Sequence, residues 1–496
     1  MRVRVLSVVL LTSVALAATG CGGGNKPGTK ASGASLIRSN VLAFLSVNSD
    51  LQSSQWHQVA NLVRKFPSGN QFLSQLQTAS SSRGMTYKRD IAPALGPEVD
   101  FVVSNVSGAS LTSSGPPSFV VMTKPRDEGK LKSLLSKAGA TGTKLVYKKV
   151  NGWYVVSTKQ SYIDDATKKS SKSLEDQGSF QRALKALPKN ALIKAYVSGS
   201  SLRSLIQSVA SSSSTTLGSG AGALGKLDFV GLALSAENDG VRLVITAKGG
   251  AASTASSSST FSPKLVSQLP GDTLAVLSFR GSKNVTNQLN KALQNNPSVG
   301  PNLQQLQTAL GVTPQQVFSL LEHEVAIYVR PGAAATSGVP EISALLEEPN
   351  EAQSLSTIDT LFTKISALSG GTVTSGPGGI KTAHIRGRGI SYGGFDSRVV
   401  ISSSNKALTD LRAGSKLSND PTYLDAKSAA GVPDKTSGFL YVNLKDAVPL
   451  IETYEQSHGS AISPTVRDNL APLKSLFAFA SSSGGVGKFT IFLEIK

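Results

Sequence analysis

The residues with catalytic potential are few, and their spacing matches no familiar reaction centre. The chain of 496 residues contains four histidines, His57, His323, His384 and His458. His323 precedes Glu324, but no second histidine follows at the spacing that binds zinc on one face of a helix. The other three histidines lie far apart in the sequence. We therefore expect no metal site and no catalytic histidine.

Serine is abundant, and two short motifs could suggest a nucleophile. Residues 403–406 (Ser-Ser-Asn-Lys) fit the serine-x-x-lysine pattern, and residues 435–438 (Lys-Thr-Ser-Gly) resemble the lysine-threonine-glycine strand of penicillin-recognising enzymes. Only about thirty residues separate the motifs, which is too few for that fold. We expect no catalytic residue, no cofactor and no enzymatic activity.

Two groups of acidic residues remain as candidate cation ligands. They are Asp164-Asp165 with Glu175-Asp176, and Glu347-Glu348 with Glu351. Neither group has the alternating ligand spacing and turn glycine of a calcium loop. We expect these carboxylates to lie at helix N-termini, where they complement the backbone dipole.

One residue, Cys21, has a clear chemical role suggested by its surroundings. Arg2 and Arg4 precede an apolar run over residues 5–17, and Ala18-Thr19-Gly20 leads into Cys21, the only cysteine in the chain. The run is shorter than the ~20 residues that a membrane span needs, and its small-residue exit suits a signal peptidase. The pattern resembles a lipobox, although Ala18 stands where leucine is commonest. We expect a lipoprotein signal peptide over residues 1–20 and acylation of the Cys21 thiol, which would anchor the protein to the cell membrane outside the cytoplasm.

The rest of the chain contains an internal repeat. The pentapeptide at 75–79 recurs identically at 305–309, and further matches follow in the same order, such as Glu98-Val99 with Glu324-Val325. Between the copies, residues 249–262 are rich in Gly, Ala and Ser, which is the composition of a linker. The repeat predicts two tandem homologous domains, residues 35–250 and 261–496, behind a flexible tether at 21–34.

The periodicity of apolar residues predicts an α+β fold. Helical spacing and strand alternation both occur in each copy. In the last strand, Phe489, Ile491, Leu493 and Ile495 alternate with polar residues, which predicts one buried and one exposed face. We therefore expect each domain to be a mainly antiparallel sheet with helices packed on one face.

Positive charge is concentrated in the first copy. Residues 35–250 contain 26 Lys and Arg against 13 Asp and Glu, a net charge of +13, whereas residues 261–496 contain 20 against 18, a net charge of +2. A basic face beside a membrane could contact anionic lipid or wall polymer. Nucleic acid is not an expected partner, because stacking aromatics are not interleaved with the basic residues.

The order of motifs in the first copy is similar to a known family. Residues 44–48 (Phe-Leu-Ser-Val-Asn), Gln55-Trp56, residues 64–67 (Arg-Lys-Phe-Pro) and residues 90–99 resemble the bacterial, largely actinobacterial, domain-of-unknown-function family 3352. The second copy shows the likeness more faintly, in Pro270-Gly271-Asp272. The resemblance implies an extracytoplasmic, membrane-anchored protein and assigns no catalytic residue.

The sequence therefore favours a non-enzymatic extracytoplasmic lipoprotein that binds or scaffolds a component of the cell envelope. Its protein partners are not indicated. Two alternatives remain open: the substrate-binding lipoprotein of a transporter, and a carrier of lipid or glycolipid.

Replacing Cys21 tests the predicted anchor. We expect Cys21→Ser to abolish acyl labelling and to move the protein out of the membrane fraction, because the thiol is the acylated group. A Ser13→Ala variant, which leaves the thiol intact, should fractionate like the parent. Retention of the Cys21→Ser protein in membranes, together with an unacylated parent, would contradict the assignment.

Overall fold

A computed structural model describes residues 32–71, 74–75, 86–104, 118–139, 144–168, 172–212, 226–249, 260–296, 299–332 and 339–496. Cys21, the predicted signal peptide and most of the predicted linker lie outside these residues. The chain divides into two compact units. Unit 1 comprises residues up to Ser257 with 482–491 and 495–496, and unit 2 comprises 258–481 with 492–494.

Unit 1 is built on eight antiparallel strands. They are β1 (Ala43–Asn48), β2 (Glu98–Val103), β3 (Phe119–Thr123), β4 (Val146–Val150), β5 (Trp153–Ser157), β6 (Ile193–Ser198), β7 (Phe229–Glu237) and β8 (Gly240–Lys248). Hydrogen bonding places them in the order β4-β5-β3-β2-β1-β6-β7-β8. The helices of this part of the chain are α1 (Ser54–Arg64), α2 (Ala92–Leu95), α3 (Glu128–Gly139), α4 (Gln160–Thr167), α5 (Gly178–Ala186) and α6 (Gly199–Ser212), with a π-helical turn at Tyr87–Ile91.

Unit 2 is also built on antiparallel strands. They are β9 (Ala275–Arg280), β10 (Glu324–Arg330), β11 (Glu341–Glu347), β12 (Val373–Ser375), β13 (Lys381–Ile385), β14 (Arg388–Phe395), β15 (Arg398–Ser402), β16 (Gly438–Asn443) and β17 (Leu473–Ser483). A last strand, β18 (Val486–Ile495), follows them in the chain, and its residues 486–491 and 495 belong to unit 1 and 492–494 to unit 2. The helices are α7 (Lys283–Gln294), α8 (Leu303–Leu310), α9 (Pro314–Ser319), α10 (Glu351–Leu368), α11 (Ala407–Arg412), α12 (Pro421–Ala430), α13 (Leu444–Ser457) and α14 (Pro464–Leu470).

Strand order in unit 2 follows the same scheme as in unit 1. Hydrogen bonding gives the order β14-β15-β11-β10-β9-β16-β17, and β12 and β13 extend the sheet beyond β14. The first strand of each unit, β1 or β9, lies near the centre of the strand order. It pairs with a strand that is distant in the chain, β6 for β1 and β16 for β9. The fold is therefore α+β with antiparallel strand pairing, as the sequence predicts.

Helices pack on both faces of each sheet, so the prediction of helices on a single face is wrong. In β2, Val102 points to the side of α4 and α5, whereas Val99 packs with Ile91 and Leu95 on the opposite side. In unit 2, α11 and α12 contribute to the core on one face and α10 to the core on the other. The physical reason is that the central strands carry apolar residues on both faces.

The last strand is also oriented differently from the prediction. Of the four apolar residues that alternate in this strand, Ile495 is buried as predicted, Ile491 and Leu493 are half-buried, and Phe489 is exposed. The opposite side of the strand buries Thr490, Phe492 and Glu494. Glu494 is accommodated because Ser475 Oγ donates to its Oε2 at 2.6 Å and Lys474 Nζ lies 3.4 Å from its Oε1. Hydrophobic alternation failed here because ion pairing allows a carboxylate to occupy the buried side.

The hydrophobic pattern does not predict strand β4, because two adjacent lysines interrupt the alternation of apolar residues. A local signal does exist at its end. Asn151 and Gly152 have φ of 49° and 82°, which is the left-handed conformation of a tight hairpin turn. Asn-Gly between β4 and β5 therefore specifies this hairpin independently of burial.

The candidate acidic residues lie at different ends of their helices. Glu351 lies in the first turn of α10, as predicted for a carboxylate that complements the helix dipole. Asp164 and Asp165 do not follow this expectation, because they lie near the C-terminus of α4. There they form ion pairs with Lys148 at 3.1 Å and with Arg38 at 2.7 Å.

Glu348 provides a test of buried charge in unit 2. Its carboxylate is buried and accepts one hydrogen bond, from Ser354 Oγ at 2.7 Å, and burial raises its pKa to about 7. In the unfolded chain this carboxyl would have a pKa of 4.5. At higher pH its burial lowers the free energy of unfolding, because unfolding allows the carboxyl to ionise in water. This reduction grows as pH rises from 4.5 to about 7 and is then constant.

We expect Glu348→Gln to raise the free energy of unfolding by about 1–3 kcal/mol at pH 8 and by much less at pH 5. Urea denaturation at both pH values measures the difference. Asp434→Asn, at an exposed position in the same unit, should show no such pH-dependent gain. An equal effect of Glu348→Gln at both pH values would mean that titration of this carboxyl does not control stability.

Candidate functional site

An open apolar area of the unit 2 sheet is the strongest candidate site among the described residues. It consists of two parallel rows of side chains that cross five strands, and we call them the apolar rows. The first row crosses β11, β10, β9, β16 and β17 at Ile342, Val329, Ala275, Val442 and Leu476. The second row crosses the same strands at Ala344, Ile327, Leu277, Leu440 and Ala478.

The apolar rows are unusually accessible for the middle of a sheet. The exposed fractions are 42% for Leu277, 39% for Ile327 and 54% for Ile342. Leu277 and Ile327 lie directly opposite one another in the pairing of β9 with β10. Among the other members, only Ala478 is buried. Burying a fully exposed large aliphatic side chain contributes about 1.5–3 kcal/mol, so covering these partly exposed side chains would contribute roughly half of that for each.

The rows are open because the helical layer on this face ends beside them. The next positions along the strands, Val325 on β10 and Leu346 on β11, are buried against Ile358 of α10. Helix α10 packs on β13, β14 and β15, to one side of the central strands. The sheet face is therefore half covered, and the uncovered half retains the same aliphatic composition.

The chemistry that the apolar rows offer is purely apolar. None of the ten side chains contains a polar atom, and the backbone of β9, β10, β11 and β16 is paired on both sides. Hydrogen-bond donors and acceptors are thus already used within the sheet. Such a surface recognises shape and apolarity and cannot select a polar group.

Unit 1 has equivalent rows in its own sheet, but they are less exposed. They are Phe119, Val103, Ala43, Val197 and Val230, and Val121, Phe101, Leu45, Ala195 and Leu232. Phe101, Phe119 and Val121 pack with Leu134 of α3 and with the helical turns at Ile91 and Leu95. In unit 1, therefore, the helices cover part of what unit 2 leaves open.

Two amphipathic helices of unit 2 also expose apolar side chains. Helix α7 presents Val285 and Leu289, each 44% exposed, and α13 presents Ile451 and Tyr454. Helix α13 begins at Leu444, directly after Asn443 at the end of β16 and two residues beyond Val442 of the first row, and it has no buried residue. These helices enlarge the apolar surface of the unit.

Asp272, in the Pro-Gly-Asp segment of the second copy, has a structural role. Arg330 on β10 donates from Nε to Asp272 Oδ1 at 2.8 Å and from Nη2 to Oδ2 at 3.0 Å. The same guanidinium reaches Asp410 Oδ2 at 2.8 Å. This bidentate pair joins the start of the unit to a central strand. The Pro-Gly-Asp motif is visible in the sequence, but the partner of Asp272 is not, because Arg330 lies 58 positions away.

Glu324 anchors Lys264 and Leu265, which lead into unit 2. The sequence shows Glu324 only as part of the repeat and as the neighbour of His323. Its two carboxylate oxygens accept the backbone N–H groups of Lys264 at 2.9 Å and Leu265 at 3.0 Å. Burial raises the pKa of Glu324, although these hydrogen bonds favour the charged form. The carboxylate therefore ties the segment to the edge of β10 and has a structural explanation.

The four histidines lie apart from one another. His57 is on α1, His323 precedes β10, His384 is in β13, and His458 follows α13, where its Nδ1 lies 2.8 Å from the Tyr454 carbonyl oxygen. Within the described part of the chain, His, Cys, Asp and Glu form no group of three that could hold a metal ion.

The two serine motifs have structural explanations. Ser403 Oγ accepts the backbone N–H of Ile342 at 3.0 Å and so continues the pairing of β15 with β11. Thr436 Oγ1 donates to the Ala480 carbonyl at 2.6 Å beside β16. Both side chains are occupied in holding strand ends.

Several lysines of the basic stretch in unit 1 form ion pairs. Lys130 lies 3.3 Å from Asp90, Lys148 pairs with Asp164, and Lys149 pairs with Glu128. Lys132, Lys137 and Lys144 are exposed. Lys130, Lys148 and Lys149 are therefore partly neutralised by neighbouring carboxylates.

Comparison with known families identifies the chain. The profile of "Protein of unknown function (DUF3352)" matches residues 4–495. The chain belongs to this family. The match extends beyond residues 44–99, in which the sequence motifs are clearest, and covers nearly the whole chain. A search of curated proteins found no match.

Two solved structures of TP0453 are detected as similar. Crystal form IV is 12% identical, with 44% of this chain and 75% of that chain covered and a TM-score of 0.24. Crystal form I is 9% identical, with 46% and 80% covered and a TM-score of 0.21. These scores are too low to support any inference about DUF3352.

Among the helices that the structure describes, none is both long enough and apolar enough to cross a bilayer.

The exposure of the apolar rows predicts tolerance to substitution. We expect the triple variant Leu277→Thr, Ile327→Thr and Ile342→Thr to fold, with a change in unfolding free energy of about 1 kcal/mol, because threonine suits strands and these sites are partly in water. Binding of the dye ANS should fall at the same time. Circular dichroism with urea denaturation, and ANS fluorescence, measure the two effects.

The matched control is Val325→Thr. Val325 lies two residues before Ile327 on β10, and it is buried. This control should lose clearly more stability than any single member of the triple variant. Equal losses at Val325 and Ile327 would show that the rows are packed as tightly as the core.

Proposed function

We propose that this DUF3352 protein is a non-enzymatic extracytoplasmic lipoprotein that binds an apolar component of the cell envelope on the apolar rows of unit 2. The observation that carries the proposal is the accessible pair of Leu277 and Ile327 at the centre of the sheet. Monomeric proteins usually keep large apolar patches covered unless the patches bind something. The Cys21 lipidation signal would keep the protein beside the membrane, where apolar molecules are abundant.

The proposal includes two tandem homologous domains. The shared strand order of units 1 and 2, and the apolar rows at equivalent places in both sheets, support descent from one repeated domain. In this proposal, unit 2 binds and the basic unit 1 faces anionic lipid or wall polymer. The exposed Lys132, Lys137 and Lys144 support that orientation.

The two alternatives make different demands on the site. The substrate-binding lipoprotein of a transporter would need polar groups that converge on its solute. A carrier of lipid or glycolipid needs an apolar surface. The composition of the apolar rows favours the carrier.

Photocrosslinking in cells tests the proposal. A photoreactive amino acid at Ile327 should give an adduct in envelope preparations, because this side chain would contact the bound component. The same amino acid at Leu368, which is 69% exposed at the end of α10, serves as the control. Equal labelling at both positions, or none at Ile327, would contradict binding on the apolar rows.

A further inference from the structure

We infer that Asp100 and Glu98 form a proton-controlled latch for residues 32–38, the segment that leads into unit 1, which we call the entry segment. With Asp100 protonated, the entry segment packs over the two carboxyl groups. Loss of that proton leaves a charge beneath the segment and favours its release from the sheet. The latch lies in unit 1 and does not depend on the apolar rows or on the proposed function.

The entry segment is buried without being part of the sheet. It begins with a 3₁₀ turn, Ser32–Leu36, and Ala34 and Ile37 are 0% and 1% exposed in the core of unit 1. The Leu174 N–H donates to the Ile37 carbonyl oxygen at 2.7 Å, and the Arg38 N–H donates to a carbonyl oxygen of α4 at 3.1 Å. The segment is therefore held by a few local contacts and by burial.

Asp100 lies directly beneath this segment. It is on β2, where it is opposite Ser46 of β1, and it is 0% exposed. A Cβ added at Gly33 would overlap Asp100 Oδ2, so the backbone of the entry segment lies against the carboxyl group. Neither Asp100 oxygen accepts a hydrogen bond of normal geometry from the described residues. Burial of this kind strongly disfavours a carboxylate and tolerates the neutral acid.

Glu98 provides an acceptor for the proton of the neutral acid. It lies two residues before Asp100 on β2, on the same face of the sheet, and it is also buried. Burial and the Glu98 carboxyl raise the pKa of Asp100 well above its ordinary value, and the Ser46 hydroxyl lowers it. Two adjacent carboxyl groups hold one proton between them more readily than they hold two negative charges.

The cation on this face is too distant to neutralise Asp100. Lys194 of β6 lies opposite Ser46, so it is two strands from Asp100, or about 9.6 Å. Burial lowers the pKa of Lys194, and the Glu98 charge raises it in part. Its Nζ donates to the Lys189 carbonyl oxygen at 2.6 Å. Lys194 therefore acts on Glu98 and leaves Asp100 uncompensated.

The titratable groups on the other packed elements have partners of their own. Arg38 of the entry segment pairs with Asp165 of α4 at 2.7 Å. The Tyr196 hydroxyl of β6 lies 2.8 Å from Ser179 Oγ of α5. Burial of the Asp100 charge would thus be relieved most directly by movement of the entry segment.

The entry segment should move before the strands do. Strand β2 pairs with β1 on one side and with β3 on the other, and these ladders must break together. Elements that are held by few contacts open at a lower free energy than core strands. Release would free seven residues, which extend to roughly 24 Å. For a protein anchored at Cys21, this release would lengthen the tether.

Unit 2 contains the same arrangement without the second carboxyl. Ala326 of β10 lies opposite Ser278, as Asp100 lies opposite Ser46. Glu324 remains there, and it accepts two backbone N–H groups of the segment that leads into unit 2. The latch is accordingly specific to unit 1.

The direction of the pH dependence follows from the burial of Asp100. With the entry segment released, this carboxyl would be in water, where its pKa would be near the ordinary value of 3.8. Docking therefore weakens as pH rises above 3.8 and becomes constant once pH exceeds the pKa of the buried acid. Each unit by which docking raises the pKa weakens docking about tenfold at high pH.

Fluorescence of Trp153 tests the latch. Trp153 is buried with the entry segment, and its Cζ3 is 3.2 Å from the position of a Cβ at Gly33, so release exposes the indole. Residues 22–496 contain one other tryptophan, Trp56, and Trp56→Phe leaves Trp153 as the reporter. We expect acrylamide quenching of Trp153 to rise several-fold between pH 4 and pH 9, with circular dichroism unchanged.

Carboxyl variants in the same background identify the titrating group. Asp100→Asn should stay weakly quenched at both pH values, because the amide remains neutral and can donate to Glu98. Glu98→Gln should lower the midpoint of the transition, because the neighbouring charge is removed. Asp165→Asn removes a half-buried carboxyl that also contacts the entry segment, and it should keep the pH dependence of the parent.

A variant of the segment tests the geometry independently and carries the test if Asp100→Asn does not fold. Gly33→Ala should expose Trp153 even at pH 4, because the added Cβ overlaps the Asp100 carboxyl. Ser35→Ala, at an exposed position of the same turn, should behave like the parent.

Three results would overturn the latch. The first is quenching in the parent that does not change with pH, and the second is the same pH dependence in Asp100→Asn as in the parent. The third is exposure of Trp153 only when circular dichroism is also lost, which would mean that unit 1 unfolds and that the entry segment is not released separately.

Discussion

The structure depends on one constraint. The central strands carry apolar side chains on two faces, and helices must pack on both faces to remove these side chains from water. In each unit the strands that begin the domain, β1 and β9, lie centrally and carry apolar residues on both sides. One face is fully packed: in unit 2, Tyr423 of α12 stacks edge to face on Tyr441 of β16, with ring centroids 5.1 Å apart. The second face receives fewer helices. The uncovered area follows from how far α10 reaches along the sheet, and the functional proposal follows from that area.

The comparison of the two units shows how a common sheet could acquire different surfaces. Unit 1 places phenylalanine where unit 2 places isoleucine, and α3 with its neighbouring turns packs on those rings. In unit 2, Ile327 and Ile342 are exposed, because α10 packs beside the rows and does not reach them. The reach of the covering helix therefore distinguishes the packed face of unit 1 from the open face of unit 2.

Sequence reasoning predicted the parts of the fold that depend on local patterns. The antiparallel α+β class and the existence of the last strand, β18, both follow from periodicity. It was wrong about the sheet faces because it generalised from the last strand, where Glu494 occupies a buried position through Lys474 and Ser475. The apolar rows could not be predicted, because each of their strands reads simply as a buried strand. Their exposure depends on where α10 ends in space, which no local pattern encodes.

The central claim is that the apolar rows are accessible in the folded protein, and thiol labelling tests it most directly. Residues 22–496 contain no cysteine, so Ile327→Cys and Leu368→Cys each provide one thiol. If the rows are open, Ile327→Cys should react under native conditions at a rate within about tenfold of Leu368→Cys. A thiol at position 327 that reacts only after denaturation would show that the face is covered, and would contradict the account.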